Sequence, residues 1–219
     1  MIIAIDGPSG AGKSTIAREV AMRLGFSCMD TGAMFRSVAW AALQNGIDLY
    51  DDATLGELSR NINIAFDYAP GDPYPVAVYV DGNDVTDAIR TFEIDNAVTP
   101  VCQQPSVRDA LLDLQRYIGS TGNYVIDGRD IGTVVFPNAE VKVYLDAAPE
   151  ERARRRVEQN AARGVGSTDF GTVLADIQRR DYEDMNRQYA PLCQAPDAYY
   201  LDSTDMTMDE VIDTISSMA

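Results

Sequence analysis

Ile2-Ile3-Ala4-Ile5-Asp6-Gly7-Pro8-Ser9-Gly10-Ala11-Gly12-Lys13-Ser14-Thr15 is the stretch that decides the fold. It opens with a short apolar run that reads as a buried strand. Gly7 to Ser14 then fits G-x-x-x-x-G-K-[ST]. From Ser14 to Leu24 the residues Ile16, Val20 and Leu24 recur at helical spacing. Strand, glycine-rich loop and helix follow one another as a phosphate-binding loop requires. Glycines let such a loop curl until its N–H groups point inward at phosphate oxygens. Lys13 suits the β- and γ-phosphates and Ser14 suits Mg²⁺, with phosphates and water as the other ligands. The helix N-terminus adds a favourable positive end. A glycine-rich turn without a ligand is the competing reading, and the eight matched residues with correct flanks oppose it. The motif implies nucleotide binding. It does not by itself separate a kinase from a GTPase or a motor.

The rest of the chain continues an α/β rhythm. Gly25 stops the first helix, and Phe26 to Met29 reads as a second strand. Thr31 to Leu43 reads as a helix stopped near Asn45-Gly46. Between 61 and 90 the character changes: Ile62, Ile64 and Phe66 alternate with polar or small residues, as do Val76, Val78 and Val80. Asp81-Gly82 and Asn83-Asp84 supply turns, so this stretch predicts a small inserted antiparallel β unit. Helices are expected over about 92–102 and 106–118, and strands at 124–126 and 141–145. A long helix should run from Pro149 to about Ala162, followed by a glycine-containing loop over 163–167 and a helix over about 170–187. A last strand is expected at 198–201 and a last helix at 208–218. The expectation is one 219-residue α/β domain with a central parallel sheet covered on both faces in three layers.

Composition narrows the function. Apolar residues make up 46% and charged residues 24%, as in an ordinary globular enzyme. A net charge of −16 argues against general nucleic-acid binding, which needs a basic footprint. No apolar run is long enough to span a membrane, and the opening residues lack the basic region of a signal peptide. Cys28, Cys102 and Cys193 are too few and scattered for a disulfide framework, so a cytoplasmic location is expected. The chain has no histidine, which removes histidine bases, triads and metal ligands. The only lysines are Lys13 and Lys142. With no long apolar stripe left over, a monomer is expected.

An anionic ligand must therefore be met by local arginines, and four segments concentrate them. Asp30 to Arg36 follows the second strand. Asp127-Gly128-Arg129-Asp130 follows the strand at 124–126. Ligands of open parallel sheets bind beyond the carboxyl ends of the strands, which places both segments near the phosphate loop. Asp127 could equally cap a turn, whereas Arg129 points to a phosphate contact. Arg152, Arg155 and Arg156 share one helical face, beside possible surface pairs Glu150–Arg154 and Glu151–Arg155. That stripe reads as an arginine-bearing lid over 150–187 that closes on ATP and excludes water. Arg180, Asp184 and Arg187 lie on one face at i, i+4 and i+7, open to either a solvated stripe with an Arg180–Asp184 pair or a ligand site. Missing Asn-Lys-x-Asp and Asp-x-x-Gly motifs disfavour a GTPase switch. A phosphate loop with several arginine clusters suggests a kinase with an anionic acceptor.

Several of these blocks resemble the bacterial cytidylate kinases nearly end to end. The similarity rests on Ile5 to Thr15 and on Asp30-Thr31-Gly32-Ala33-Met34-Phe35-Arg36. It rests most specifically on Asp127-Gly128-Arg129-Asp130-Ile131-Gly132-Thr133-Val134-Val135-Phe136-Pro137. Arg180-Asp181, Asn186-Arg187, Ala190-Pro191-Leu192 and Leu201-Asp202-Ser203 extend it. The resemblance implies transfer from ATP to CMP or dCMP with Mg²⁺, and it makes the 61–90 insertion part of the acceptor-binding region. It implies that Arg36, Arg129 and Arg187 bind the acceptor phosphate. It makes Thr99, Arg108 and Asp130 readers of the cytosine edge, with Thr31 and Phe35 nearby. Asp184, with Arg180, would contact the sugar, while Gly7 to Thr15 and Arg155 would hold ATP. Lys13, Arg129, Asp130, Arg152 and Arg156 form the implied catalytic set. Phe35 stands where the family often has Tyr, and Thr31 where Ser is common, so acceptor affinity could shift. A kinase for UMP or another small metabolite, or a slowly hydrolysing switch protein, are the alternative expectations.

Overall fold

The computed structural model describes residues 1–164 and 166–219. Its elements, in chain order, are β1 (Ile2–Asp6), α1 (Lys13–Leu24), β2 (Ser27–Asp30), α2 (Thr31–Gln44), α3 (Asp52–Asn61), β3 (Ile64–Tyr68), β4 (Pro75–Val80) and β5 (Asn83–Asp84). They continue with α4 (Phe92–Gln103), α5 (Pro105–Gly119), β6 (Tyr124–Gly128), β7 (Val141–Asp146), α6 (Pro149–Arg163), α7 (Phe170–Asn186), β8 (Tyr199–Asp202) and α8 (Met208–Ser216). The loop expected over 163–167 includes Val165, which lies outside the described residues. The chain divides into two compact units, one of residues 1–24 with 125–219 and one of residues 25–124.

The first unit holds the strands in the order β6-β1-β7-β8. β1 and β7 pair in parallel with Ile3 opposite Val141, and β7 and β8 pair in parallel with Leu145 opposite Leu201. Every residue of β1 is buried, which is why its sequence is apolar without alternation. Helix α1 buries Ile16, Ala17, Val20 and Ala21, and α8 buries Val211, Ile212 and Ile215. The two helices are neighbours, joined at the surface by Arg23 and Asp213. Helices α6 and α7 pack as a hairpin through Ala153, Val173 and Ile177, with Val157 and Leu174 at the margin. Between β6 and β7 the backbone makes one π-type turn over Ile131–Val135, an element the sequence pattern does not foresee.

The second unit contains the antiparallel sheet β3-β4-β5 within the expected insertion. Ile64 lies opposite Val80 and Phe66 opposite Val78. Ile64, Val78 and Val80 are buried and their sequence neighbours are more exposed, as the alternation requires. Helix α3 is a further element outside the sequence expectation. Asp51 starts it by accepting a hydrogen bond from the Thr54 N–H, and Leu55 is its fully buried anchor. Helix α4 continues through Pro100, whose ring falls near its end.

Candidate active site

The phosphate loop is shaped by contacts that leave little freedom. Gly7 has φ 154°, and a Cβ there would stand 2.0 Å from the Leu145 carbonyl oxygen. Gly10 has φ 79°, and a Cβ there would meet the Arg152 Cβ at 3.2 Å. These two positions demand glycine for both conformation and space. Lys13 curls back over the loop, and its Nζ donates to the Pro8 carbonyl at 2.7 Å. Burial pulls the Lys13 ammonium down to about 7, and the nearby Arg129 guanidinium adds to this against the pull of Asp127, Asp184 and Asp6. Ser14 Oγ donates to Asp127 Oδ2 at 2.7 Å, so Asp127 does more than cap a turn.

Asp6, at the end of β1, accepts from the N–H groups of Ile131 at 2.8 Å and Gly132 at 2.7 Å. It thereby ties β1 to the π-type turn that follows Asp130. Burial still pushes Asp6 up to about 6, because the two N–H donors only partly replace water and Asp130 repels its charge. The sequence treats Asp6 as a strand end. Its depth in an otherwise apolar run is the signal that marks it.

Behind the loop sits a second set of groups. Asp181 Oδ1 accepts from the Ser9 N–H at 3.1 Å, and Asp181 Oδ2 accepts from Arg152 Nη1 at 2.6 Å. Arg152 also donates from Nη1 to the Ser9 carbonyl at 2.9 Å and from Nε to the Ala147 carbonyl at 2.8 Å. The Arg152 side chain is 5% exposed, so it is built into the base of the α6–α7 hairpin. Arg155 and Arg156 are half-buried. Arg155 donates to Glu151, Ser203 Oγ and the Ser203 carbonyl, and Arg156 donates to Gln159. Arg154 pairs with Glu151 at i, i+3 and not with Glu150, so Glu151 serves both Arg154 and Arg155.

Arg129, Asp130, Asp184 and Arg187 come together in the same unit. Arg129 Nε donates to Asp184 Oδ2 at 2.8 Å. Arg187 lies 3.6 Å from Asp130 and 3.7 Å from Asp184, and its Nε donates to the Ala190 carbonyl at 2.6 Å. Asp184 thus faces Arg129 and Arg187, not Arg180 as a simple helical pair would have it. Arg180 is half-buried on α7.

The second unit carries the other expected residues. Asp30 caps α2 by accepting from the Ala33 N–H, and Tyr74 donates to Asp30 at 2.6 Å. Thr31 is buried at the start of α2. Arg36 pairs with Asp95 at 2.6 Å and donates to the Ile89 carbonyl. Arg108 is buried on α5, donates to the Cys102 carbonyl at 2.9 Å, and stacks over the Phe35 ring at 5.2 Å. The hydroxyl that Phe35 lacks is not needed for that stacking. Thr99 lies half-buried on α4. Asp95 lies outside the sequence motifs, and Asp6 and Asp181 lie inside matched blocks that assign them no role.

A strand–loop–helix with this lysine and serine, on a parallel sheet and beside clustered arginines, defines a P-loop nucleotide-binding protein. The model of the family described as cytidylate kinase matches residues 3–219, and the chain belongs to that family. The cytidylate kinase of Limosilactobacillus fermentum is 47% identical over 98% of this chain and 93% of its own length. That of Citrifermentans bemidjiense is 48% identical over 99% of this chain and 91% of its own. In fold alone, the chain is similar to the crystal structure of an uncharacterized protein from Eubacterium ventriosum, with TM-score 0.53 and 12% identity over 99% and 96% of the two chains. Among the described residues no helix is long and apolar enough to cross a membrane.

Proposed function

We propose that this chain transfers the γ-phosphoryl group of ATP to CMP and dCMP, giving ADP with CDP or dCDP. The observation that carries the reading is the cluster Arg129, Asp130, Asp184 and Arg187 in the same compact unit as Lys13 and Ser14. A lone nucleotide binder has no use for a second set of clustered cations beside the loop lysine. Family membership supplies the cytosine.

In this reading the Gly7–Thr15 backbone cradles the ATP phosphates, and Arg155 and Arg156 act on the donor from α6. Lys13 meets the β- and γ-phosphates, whose charge returns its ammonium to the protonated state. Arg36, Arg129 and Arg187 hold the acceptor phosphate, and their carboxylate partners exchange for phosphate oxygens. Arg108, stacked on Phe35, reads the base with Thr31, Thr99 and Asp130. Asp184 and Arg180 take the sugar. The transferred group passes through a transition state whose charge these cations stabilise, so positioning and electrostatics do most of the work.

The Ser14 hydroxyl and Asp127 carboxylate, 2.7 Å apart, fit a small hard cation that keeps its other sites for phosphate and water. Among the described residues no cluster of three or more acidic or sulfur ligands competes with that arrangement. Mg²⁺ held there would neutralise phosphate charge. The 61–90 insertion belongs to the acceptor-binding region and 150–187 to the lid. A cytoplasmic monomer acting on small nucleotides completes the reading, and Cys28, Cys102 and Cys193 as thiols suit a reducing compartment.

The test is a turnover assay with MgATP and a panel of CMP, dCMP, UMP, AMP and GMP, following ADP release. CMP and dCMP should raise turnover far above the rate without acceptor. No stimulation by any monophosphate would overturn the kinase reading, and equal rates with UMP would overturn the cytosine preference alone.

A further inference from the structure

We infer that Arg152 and Asp181 form a clamp on Ser9 that sets the phosphate loop's peptide orientations, making both of them positioning residues and not ATP ligands. The inference rests on the reading that this loop holds ATP. Ser9 is gripped at both of its backbone polar groups: its N–H by Asp181 at 3.1 Å and its carbonyl by Arg152 at 2.9 Å. The two gripping side chains are themselves paired at 2.6 Å, with 5% and 11% exposure. Arg152 is further fixed by the Ala147 carbonyl just beyond β7. A guanidinium so enclosed cannot turn toward a nucleotide without leaving Asp181 buried and uncompensated, which is strongly unfavourable.

Peptide planarity carries the effect into the loop. The described peptides are all trans, and in a trans peptide the carbonyl and N–H point in opposite directions. The Ser9 carbonyl shares its plane with the Gly10 N–H. Holding that carbonyl toward Arg152 turns the Gly10 N–H the other way. The Ser9 N–H shares its plane with the Pro8 carbonyl. Holding it toward Asp181 turns the Pro8 carbonyl to the opposite side, where Lys13 Nζ donates to it at 2.7 Å. One clamp therefore orients a loop donor and the resting place of Lys13. Gly10 reinforces the arrangement, since α6 packs so closely that a Cβ there would meet the Arg152 Cβ at 3.2 Å.

The experiment compares Arg152→Met, Asp181→Ala and the double variant, with Arg152→Lys and Asp181→Asn as milder versions if folding suffers. ATP and CMP are varied separately, ADP and ATP affinities are titrated, and each assay runs well below the variant's melting midpoint. Each single substitution should lower kcat/KM for ATP by about 10–100-fold, as expected for a loop displaced by a fraction of an ångström. The KM for CMP should stay within about twofold. The double variant should be no worse than the worse single, because both break one unit. ADP and ATP should lose affinity by the same factor.

Multiplying losses, an ATP affinity that falls far more than that for ADP, or unchanged kinetics in the single variants would each overturn the clamp. A wild-type protein with no turnover would instead overturn the kinase reading. The paired ADP affinities would still decide the clamp.

Discussion

Lys13 and Arg36 are both cations suited to meet phosphate, and the chain keeps them in opposite ways. Lys13 is 6% exposed, folded onto the Pro8 carbonyl, and stripped of much of its hold on a proton by burial. Arg36 is 28% exposed and neutralised by Asp95, itself 29% exposed. The first is held by backbone geometry in a dry place and the second by a side-chain partner in a wet one. Electrostatics act more strongly where water is excluded. Changes around Lys13 should therefore alter rate and stability, and changes around Arg36 should alter acceptor affinity and its salt dependence.

The largest contrast is in the lysine itself. Lys13→Ala should keep the fold and lower kcat by roughly 10²–10³-fold, the usual loss for one transition-state donor. Circular dichroism and steady-state kinetics check both parts, and substantial remaining activity would remove the role given to Lys13. The depressed Lys13 value adds a sign. A lysine near 7 is mostly neutral at pH 8, so binding of an anionic nucleotide that raises it must take up a proton. Calorimetry of ADP binding at pH 8 in buffers of different ionisation enthalpy should show uptake, and Lys13→Met should abolish it.

The loop's backbone comes next. Gly7→Ala should destabilise the protein by about 2–3 kcal/mol, since a Cβ must be accommodated 2.0 Å from the Leu145 oxygen. Gly12→Ala meets open space at φ 87° and should cost only about 1–2 kcal/mol, for backbone strain alone. Urea unfolding of the two variants measures the difference, and equal losses would mean that the approach to β7 is not tight.

Asp6 gives a comparable effect through pH. Its value in the folded protein is raised from 3.8 to about 6, so the folded state holds the proton more firmly than the unfolded chain does. Its contribution to stability is therefore full below about pH 4 and is lost as pH rises to about 6. The difference between the two values corresponds to about 3 kcal/mol. Asp6→Asn should flatten that part of the pH profile whatever it does to stability overall. An unaltered slope would remove Asp6 from the account.

The same contrast explains what could be read in advance. The strands and helices of the loop unit were legible because buried parallel strands are apolar throughout and the flanking helices carry clean stripes, as at Ile2–Asp6 and Val211–Ile215. The insertion was legible because Ile64, Val78 and Val80 alternate. Helix α3 was not, since only Leu55, Gly56 and Ser59 are buried in it and two of those three are small. The π-type turn was not, because Asp6 stabilises it from a distance of more than a hundred residues. Within the site, motif residues could be named but not their pairings: Asp95 lies outside every matched block, and Asp181 lies inside one that gives no sign of its bond to Arg152. Pairing across helices depends on packing that no local spacing encodes. Helical spacing put Arg152 on one stripe with Arg155 and Arg156, yet the rise of α6 from the sheet buries the first and leaves the other two half-buried.

The smallest effects test the wet side of the contrast. Asp95→Asn should free Arg36 and lower the KM for CMP by about two- to fivefold at low salt, in line with the modest value of a partly exposed pair. The gain should fade as added salt screens the pair in the wild type. Arg154→Ala removes a 61% exposed guanidinium from Glu151 and should change stability by less than about 0.5 kcal/mol with no change in kinetics. Glu151 retains Arg155 at 3.0 Å, so its charge stays compensated. If Arg154→Ala instead lowered turnover, the cations of α6 would act on substrate as a set. Burial would then be a poor guide to which arginines of this helix position the loop and which meet the nucleotide.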